Sequence, residues 1–261
     1  MPDVLIIPDF NNIEGSLQIA SEYNAAFEFN DFFMPDLLDN KNKISEMIIK
    51  YKHYGIPDKS TMHGAFLDVT VFSSDSRIRD VSDLRVCQSI ETALELGVRA
   101  VIFHTNYIPT LLADSYYDNW IEANEKYWRE TLNQYKNIDI FIENMFDITH
   151  EPLKKLAERM KDCNNFGVCL DYAHASLSDY HIENWVQILG PYIRHMHIND
   201  NDLKKDLHLP LATGKIDWSK FTELYNKYVE NASILIEHSN IEMQKNSLDF
   251  FMNMFKKSRV V

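Results

Sequence analysis

The feature that most constrains this chain is a regular alternation between short apolar segments and longer amphipathic ones. The short segments contain four to six residues, many of them β-branched or aromatic, which is typical of buried β-strands. Eight of them follow one another, at residues 4–7, 25–29, 60–63, 100–104, 138–143, 166–171, 193–198 and 233–237. The mean repeat of about 33 residues is the length expected of one strand and one helix.

The segments between these strands have the apolar spacing of helices. Ile44, Met47 and Tyr51 share one face of a predicted helix, and Gly97 is the expected C-cap of another. Eight strand–helix units predict an α/β fold, a (β/α)8 TIM barrel. Because the chain has no Ser/Gly linker or charge block, we expect a single domain over residues 1–261. A doubly wound open sheet is the alternative, but it predicts a glycine-rich phosphate loop, and the chain has seven glycines and neither GxGxxG nor a P-loop.

Composition excludes several other classes of protein. The chain is 45% hydrophobic, which is too apolar for a disordered protein, and it has no uncharged apolar run long enough to span a membrane. The N-terminus lacks the basic and apolar regions of a signal peptide, and three cysteines without a CxxC pair do not form a disulfide framework. We therefore expect a cytoplasmic protein without a membrane partner.

Acidic and imidazole side chains recur where the predicted strands end. In a barrel these ends meet at one face, which carries the active site. A single histidine or glutamate there is more often a hydrogen-bonded rim residue or a helix-capping partner, but that explanation would have to hold at strand after strand. Burying so many such groups together is costly without a cation. The residues concerned are Glu28, His63, His104, Glu143, Asp171, His174, His197, Asp206, His208 and Glu237.

The ligand types predict one to three divalent metal ions. Glu143, Asp171, His197 and Glu237 form an oxygen-rich set that suits Mn²⁺, Mg²⁺ or Co²⁺, with Zn²⁺ also acceptable. A second ion would lie between His63 and His104 and be bridged by Glu143. A third would be held by His174, Asp206 and His208, a set that suits Zn²⁺. The remaining histidines, His195 among them, are expected to be structural.

Several motifs together resemble the xylose-isomerase-like TIM-barrel superfamily. They are MHGAFL at 62–67, FH at 103–104, FIEN at 141–144, LDYAH at 170–174, HMHIND at 195–200 and the segment 206–218. That superfamily contains sugar and sugar phosphate isomerases and epimerases, and also the endonuclease IV family. The resemblance implies that Glu143, Asp171, His197 and Glu237 occupy the isomerase metal positions. It also implies that the other five candidate ligands complete a trinuclear zinc set. Ala212 and Thr213 depart from a turn that commonly contains glycine, which puts the shape of that loop in question.

The first function considered is a metal-dependent sugar or sugar phosphate isomerase or epimerase of carbohydrate metabolism. Glu143 and Glu237 would be the catalytic base and acid that move a proton next to a carbonyl, through a metal-stabilised enediolate. Glu28, His174 and Lys204 are the predicted substrate-binding residues. The predicted partner is therefore a small sugar, and the outer helices leave a homo-oligomer open.

The second function is a zinc-dependent phosphodiesterase resembling endonuclease IV. The candidate ligands permit it, but the net charge of −13 does not suit a DNA-binding surface. Nine aspartates fall in the expected loops at the active end, at positions 31, 36, 39, 68, 75, 114, 118, 179 and 202, against Arg77, Arg79, Lys204 and Lys205. We therefore expect no nucleic-acid partner. The third alternative is a non-catalytic binding protein. In such a protein we would expect some of the metal-ligand positions to hold residues that cannot bind a metal, but in this chain every position holds a residue that can.

Overall fold

The computed structural model describes residues 1–229 and 231–257, and it contains eight parallel strands closed into one barrel. The strands are β1 Val4–Ile6, β2 Ala26–Phe29, β3 Thr61–His63, β4 Ala100–His104, β5 Asp139–Glu143, β6 Phe166–Asp171, β7 Ile193–Ile198 and β8 Ser233–Ile236. Each pairs with the next, and β8 closes on β1 with Leu235 opposite Leu5. The predicted TIM barrel is confirmed. The predicted domain 1–261 includes residues 230 and 258–261, which lie outside the described residues.

Helices cover the outside of the barrel. They are α1 Ile13–Tyr23, α2 Pro35–Leu38, α3 Lys41–Tyr54, α4 Ser76–Leu96, α5 Asp114–Gln134, α6 Glu151–Arg159, α7 Tyr172–Ser176, α8 Ile182–Leu189, α9 Trp218–Tyr228 and α10 Ile241–Lys257, with a 3-10 turn at Gly190–Tyr192. The predicted face of α3 is buried, and Gly97 ends α4 in the left-handed conformation at φ 83°. None of the helices in the described part of the chain is long and apolar enough to cross a lipid bilayer.

The inside of the barrel changes character from one end to the other. Apolar side chains fill part of it, including Leu5, Ala26 and Leu235 in one cluster and Ile102 and Phe141 in another. Towards the carboxyl ends of the strands, the fully or almost fully buried side chains are charged or polar instead. Because strand residues alternate between inside and outside, these polar groups point into the barrel rather than towards the helices.

The loop after β7 is anchored at both ends by Asp200. The backbone of Asp200 pairs with that of Leu209, and its carboxylate accepts hydrogen bonds from Ile216 N at 3.1 Å and Trp218 Nε1 at 2.9 Å. Ala212 lies in this loop with φ 65°, a left-handed conformation that a Cβ atom disfavours. The position where the sequence departs from a glycine-containing turn is thus one where the backbone still adopts a glycine-like conformation.

Replacing Ala212 by glycine should stabilise the protein. Glycine removes the left-handed strain, which is about 1–2 kcal/mol, but it also raises the conformational entropy of the unfolded chain. The first effect should be larger, so the free energy of unfolding should rise by about 0.5–1 kcal/mol. Urea denaturation measures the difference. The matched control is Ala123→Gly inside α5, where the same substitution should cost about 1 kcal/mol. Equal losses in the two variants would contradict the strain at Ala212.

Candidate metal centre

The side chains predicted at the strand ends form three groups of candidate metal ligands at the carboxyl end of the barrel. Within each group, one ligand atom per residue lies within 4.8 Å of the others. The groups are His63, His104 and Glu143; Glu143, Asp171 and His197; and His174, Asp206 and His208. Since the first two groups share Glu143, its carboxylate is placed to bridge two ions.

Glu143 ends β5 and is surrounded by imidazoles. Its Oε1 lies 2.9 Å from His197 Nδ1, and its Oε2 lies 3.4 Å from His63 Nε2 and 3.5 Å from His104 Nε2. Burial opposes ionisation of this carboxyl, but the adjacent imidazoles outweigh burial and hold its pKa well below the usual value. Glu143 is therefore an anion, which is the form that binds a cation.

Asp171 occupies the N-cap of α7, and this local structure sets its geometry. Its Oδ1 accepts a hydrogen bond from His174 N at 2.7 Å, so Oδ2 is left facing the site. The Asn144 side chain pairs with the backbone of Asp171 through two hydrogen bonds of 2.9 Å, which ties the end of β6 to the end of β5. Burial raises the pKa of Asp171 to about 7 against the attraction of His174, and the nearby carboxylates of Glu237 and Glu143 add to the rise.

The third group joins α7 to the loop after β7. Asp206 Oδ2 lies 3.2 Å from His174 Nε2 and 3.1 Å from His208 Nε2. Burial disfavours the charge on His174, but Asp171 and Asp206 prevail and raise the pKa of His174 to about 10. The hydrogen bond to Asp206 is the main reason that the pKa of His208 rises to about 9. His208 has φ 46°, a strained conformation of the kind found at functional sites.

Glu237 follows β8 directly but contacts the third group rather than Asp171 or His197. Its Oε2 accepts a hydrogen bond from Asn199 Nδ2 at 3.2 Å and lies 3.6 Å from His208 Nδ1. Glu143, Asp171 and His197 thus come together as predicted, whereas the fourth member of that set lies beside them. Glu237 is also the more accessible carboxylate, with 17% of its side chain exposed against 2% for Glu143.

Unpartnered polar atoms provide the test of whether these residues fit a metal ion. Glu143 Oε2, Asp171 Oδ2, His197 Nδ1 and His174 Nδ1 are buried and make no hydrogen bond of proper geometry within the described protein, although His197 Nδ1 lies 2.9 Å from Glu143 Oε1 and His174 Nδ1 lies 3.1 Å from Asp171 Oδ2. Buried polar atoms are rarely left so, because each costs about 1–3 kcal/mol. Carboxylate oxygens and imidazole nitrogens are the ligand types of Zn²⁺, Mn²⁺ and Co²⁺. The donor set therefore fits a divalent transition metal.

Glu28 requires a correction. It was expected to bind substrate, but it has no exposed surface, and its oxygens lie 2.9 Å from His197 Nε2 and 3.0 Å from His195 Nε2. Glu28 lies beneath the candidate ligands and does not face the barrel mouth. Lys204 is exposed in the loop after β7, so its predicted contact with substrate stays a prediction.

His195 was expected to be structural, and the structure places it beneath the candidate ligands. It is fully buried and contacts both Glu28 and Ser233. Its position two residues before His197, on the same face of β7, was the available signal. Asn144 and Asn199 carried no signal of that kind, because an asparagine after a strand is common in loops.

Asp147, in the loop after β5, should make the stability of the protein depend on pH. Burial raises its pKa from 3.8 to about 6, although Thr105 Oγ1 and Met145 N donate hydrogen bonds to Oδ2 at 2.7 and 3.0 Å. Between these two pKa values the folded state binds the proton more tightly than the unfolded state does. Stability should therefore fall as pH rises from about 4 to about 6 and lose nothing further from Asp147 above that range.

Asp147→Asn should remove this part of the pH dependence. The fall in unfolding free energy between pH 4 and pH 7 should be smaller in the variant by up to about 3 kcal/mol. Urea denaturation in the presence of a chelator measures it. The amide itself can change the stability by a constant amount at every pH. That amount cancels, because each protein is compared with itself at the two ends of the same pH interval. Parallel stability curves would show that Asp147 is not the group responsible.

The family model described as xylose isomerase-like TIM barrel matches residues 18–254. The chain belongs to this family. A probable endonuclease 4 of Mycobacterium leprae is 27% identical over 169 residues, and the match covers 60% of this chain and 64% of the length of that relative.

Two solved structures are similar to this member of the xylose isomerase-like family along almost its whole length. A D-tagatose 3-epimerase-like protein has a TM-score of 0.77 at 23% identity, with all of both chains covered. A Thermus thermophilus protein soaked with zinc chloride has a TM-score of 0.76 at 19% identity and covers 98% of this chain and 99% of its own. At these identities the likeness establishes the barrel fold.

Proposed function

We propose that the protein is a divalent-metal-dependent isomerase or epimerase acting on a sugar or sugar phosphate. The observation that carries the proposal is the convergence of Glu143, Asp171 and His197 at the barrel mouth, with unpartnered oxygens and nitrogens facing one another. An ion held there would act as a Lewis acid on neighbouring oxygens of a sugar. The epimerase-like structural neighbour supports the same reading.

The two glutamates have different surroundings, and these suggest different roles. Glu143 is buried among three imidazoles and is suited to holding an ion. Glu237 is partly exposed and is oriented by the Asn199 amide, so we assign it the proton transfer at the carbon next to the carbonyl. Glu143 would serve as the opposing acid or base once substrate is bound.

Aromatic rings stand beside the candidate ligands and offer a wall for a sugar. The Phe66 ring centroid lies 4.5 Å from that of His104, and the Phe146 centroid lies 5.5 Å from that of His174. Phe146 is 61% exposed, so it borders the open side of the site. Such rings can pack on the C–H faces of a sugar while its hydroxyls reach the polar groups.

A deuterium exchange panel tests the proposal. The metal-loaded protein would be incubated in deuterated water with ketoses, aldoses and their phosphates, and each sugar analysed by NMR. At least one sugar should incorporate deuterium next to its carbonyl group, with an epimer or isomer accumulating. If no member of the panel exchanges while a DNA duplex containing an abasic site is cleaved, the second function below replaces the first.

A zinc-dependent phosphodiesterase is the second candidate, because the groups around His63 and His104 and around Asp206 are both complete. Up to three ions could then be held, and enzymes that cleave phosphate esters commonly use more than one. The endonuclease 4 relative supports it. The charge at this end of the barrel opposes it: Asp36, Asp68 and Asp179 are exposed there, among others. Four of the charged residues expected in loops instead lie in the first two turns of α4 and α5; they are Arg77, Arg79, Asp114 and Asp118.

A further inference from the structure

A continuous series of polar side chains runs through the barrel from the candidate metal centre towards its opposite end. It passes from His197 to Glu28, then to His195, Ser233 and Arg99. Glu28, His195 and His197 have no exposed surface. The inside of a TIM barrel is usually filled by Val, Ile and Leu. The free-energy cost of burying polar groups there has to be offset by specific pairing between them or by a function that needs them.

The series has a defined direction because its last member can only donate. The Arg99 guanidinium has no acceptor, and its Nη2 donates to Ser233 Oγ at 2.5 Å. The single hydroxyl proton of Ser233 is then available to His195 Nδ1, which lies 2.6 Å away. Since His195 Nδ1 accepts, its ring proton belongs on Nε2, 3.0 Å from Glu28 Oε2.

Glu28 lies between the imidazoles of His195 and His197. Its Oε2 lies close to His195 and also accepts a hydrogen bond from the Thr61 hydroxyl at 2.6 Å. Its Oε1 lies 2.9 Å from His197 Nε2. A carboxylate this close to an imidazole nitrogen favours a proton on that nitrogen. Glu143 Oε1 lies equally close to the other nitrogen of His197, Nδ1, at 2.9 Å, but Glu143 and Asp171 form a candidate metal group with His197, so on this side an ion would take the place of the proton.

We infer that Glu28, fixed by His195, Ser233 and Arg99, is the positioning residue that keeps the His197 proton on Nε2 and so reserves Nδ1 for a divalent ion. The inference rests on the proposed metal-dependent function. It assigns a purpose to the buried polar interior of the barrel, because a carboxylate behind a ligand histidine orients the ring and strengthens its binding.

A second set of donors in the same region does not account for the arrangement. Cys169, His195 and His197 also lie within 4.8 Å of one another and would suit a soft ion. Such an ion would need the nitrogens of His195 and His197 that face Glu28 and Ser233, or would have to share His197 with the centre above. The contacts already made by these rings favour the positioning role.

The experiment measures binding of Co²⁺ alone, by its visible absorption, to chelator-treated protein. Glu28→Gln should weaken Co²⁺ binding by about 10- to 100-fold, and Ser233→Ala should weaken it in the same direction by a smaller factor. The matched control is Ser82→Ala. Ser82 is equally buried and makes two hydrogen bonds on α4, but it lies outside the series, so its affinity should equal that of the wild type. Ser233→Ala carries the test if Glu28→Gln does not fold.

A second measurement reports the ring itself. Protein labelled with ¹⁵N-histidine and loaded with Zn²⁺ would be examined by long-range ¹H–¹⁵N NMR, with His197→Gln used to assign the signals. His197 should show a protonated Nε2 and a metal-bound Nδ1, a signature that a purely structural role for Glu28 would not require. Binding through Nε2, or wild-type affinity in both variants, would overturn the inference and leave the proposed function intact. Wild-type protein that binds no divalent ion would overturn both.

Discussion

Glu237→Gln should reduce turnover by about 10²- to 10⁴-fold, because it removes the proton-transferring group and keeps the shape of the side chain. The rate is that of deuterium exchange with whichever sugar in the panel reacts. Glu237 is partly exposed, and its carboxylate hydrogen bond comes from Asn199, which an amide oxygen can also accept. The barrel should therefore stay folded, with a melting temperature close to that of the wild type.

The matched control for this variant is Glu122→Gln, an exposed glutamate on α5 away from the barrel mouth. It should leave turnover at the wild-type level. Full activity of Glu237→Gln would remove this residue from the mechanism and shift the proton transfer to Glu143. Loss of activity together with a large fall in melting temperature would show instead that Glu237 is needed for folding.

The second large effect is stabilisation by divalent ions. Protein stripped with a chelator should melt about 8–16 °C lower than protein with Zn²⁺ or Mn²⁺ at a thousand times its dissociation constant. Ligand binding at that excess contributes about 4 kcal/mol, and each kcal/mol shifts the melting temperature by about 2–4 °C in a domain of this size. The physical reason is that the ion neutralises Glu143 and Asp171 and satisfies their unpartnered oxygens.

Differential scanning calorimetry measures this shift. Sodium chloride at matched ionic strength is the control for screening, and it should have little effect on buried groups. Asp171→Asn should lose much of the response, because it removes one ligand from the group shared with Glu143 and His197. A melting temperature indifferent to Zn²⁺, Mn²⁺ and Co²⁺ would exclude a metal centre at this position.

The fold could be predicted from the sequence because its signals are local. β4, β6 and β7 begin and end where the segments predict. β4 and β6 are apolar runs that end in a single polar residue, whereas β7 mixes apolar residues with Arg194, His195 and His197. The capping residues Gly97 and Asp217 also act as their types suggest.

The candidate site was only partly predictable, because the sequence does not show which side chains meet across the barrel. Strand alternation shows that Glu28, His195 and His197 all point inwards, but not how far a side chain extends across the barrel. Glu28 crosses from β2 to β7 and is covered, whereas its position at a strand end suggested an exposed group. Glu237 likewise bonds to Asn199, a partner that becomes apparent only once the loop after β7 is in place.

That loop has an implication for how such barrels diversify. Asp206 and His208 lie on one loop, which is held in place by hydrogen bonds to Asp200. Glu143, Asp171 and His197 instead belong to the barrel strands. An insertion or deletion between residues 201 and 215 could add or abolish two ligands at once and leave the inner three untouched. The number of ions, and with it the choice between moving a proton and cutting an ester, would then be an evolvable property of one short stretch of chain.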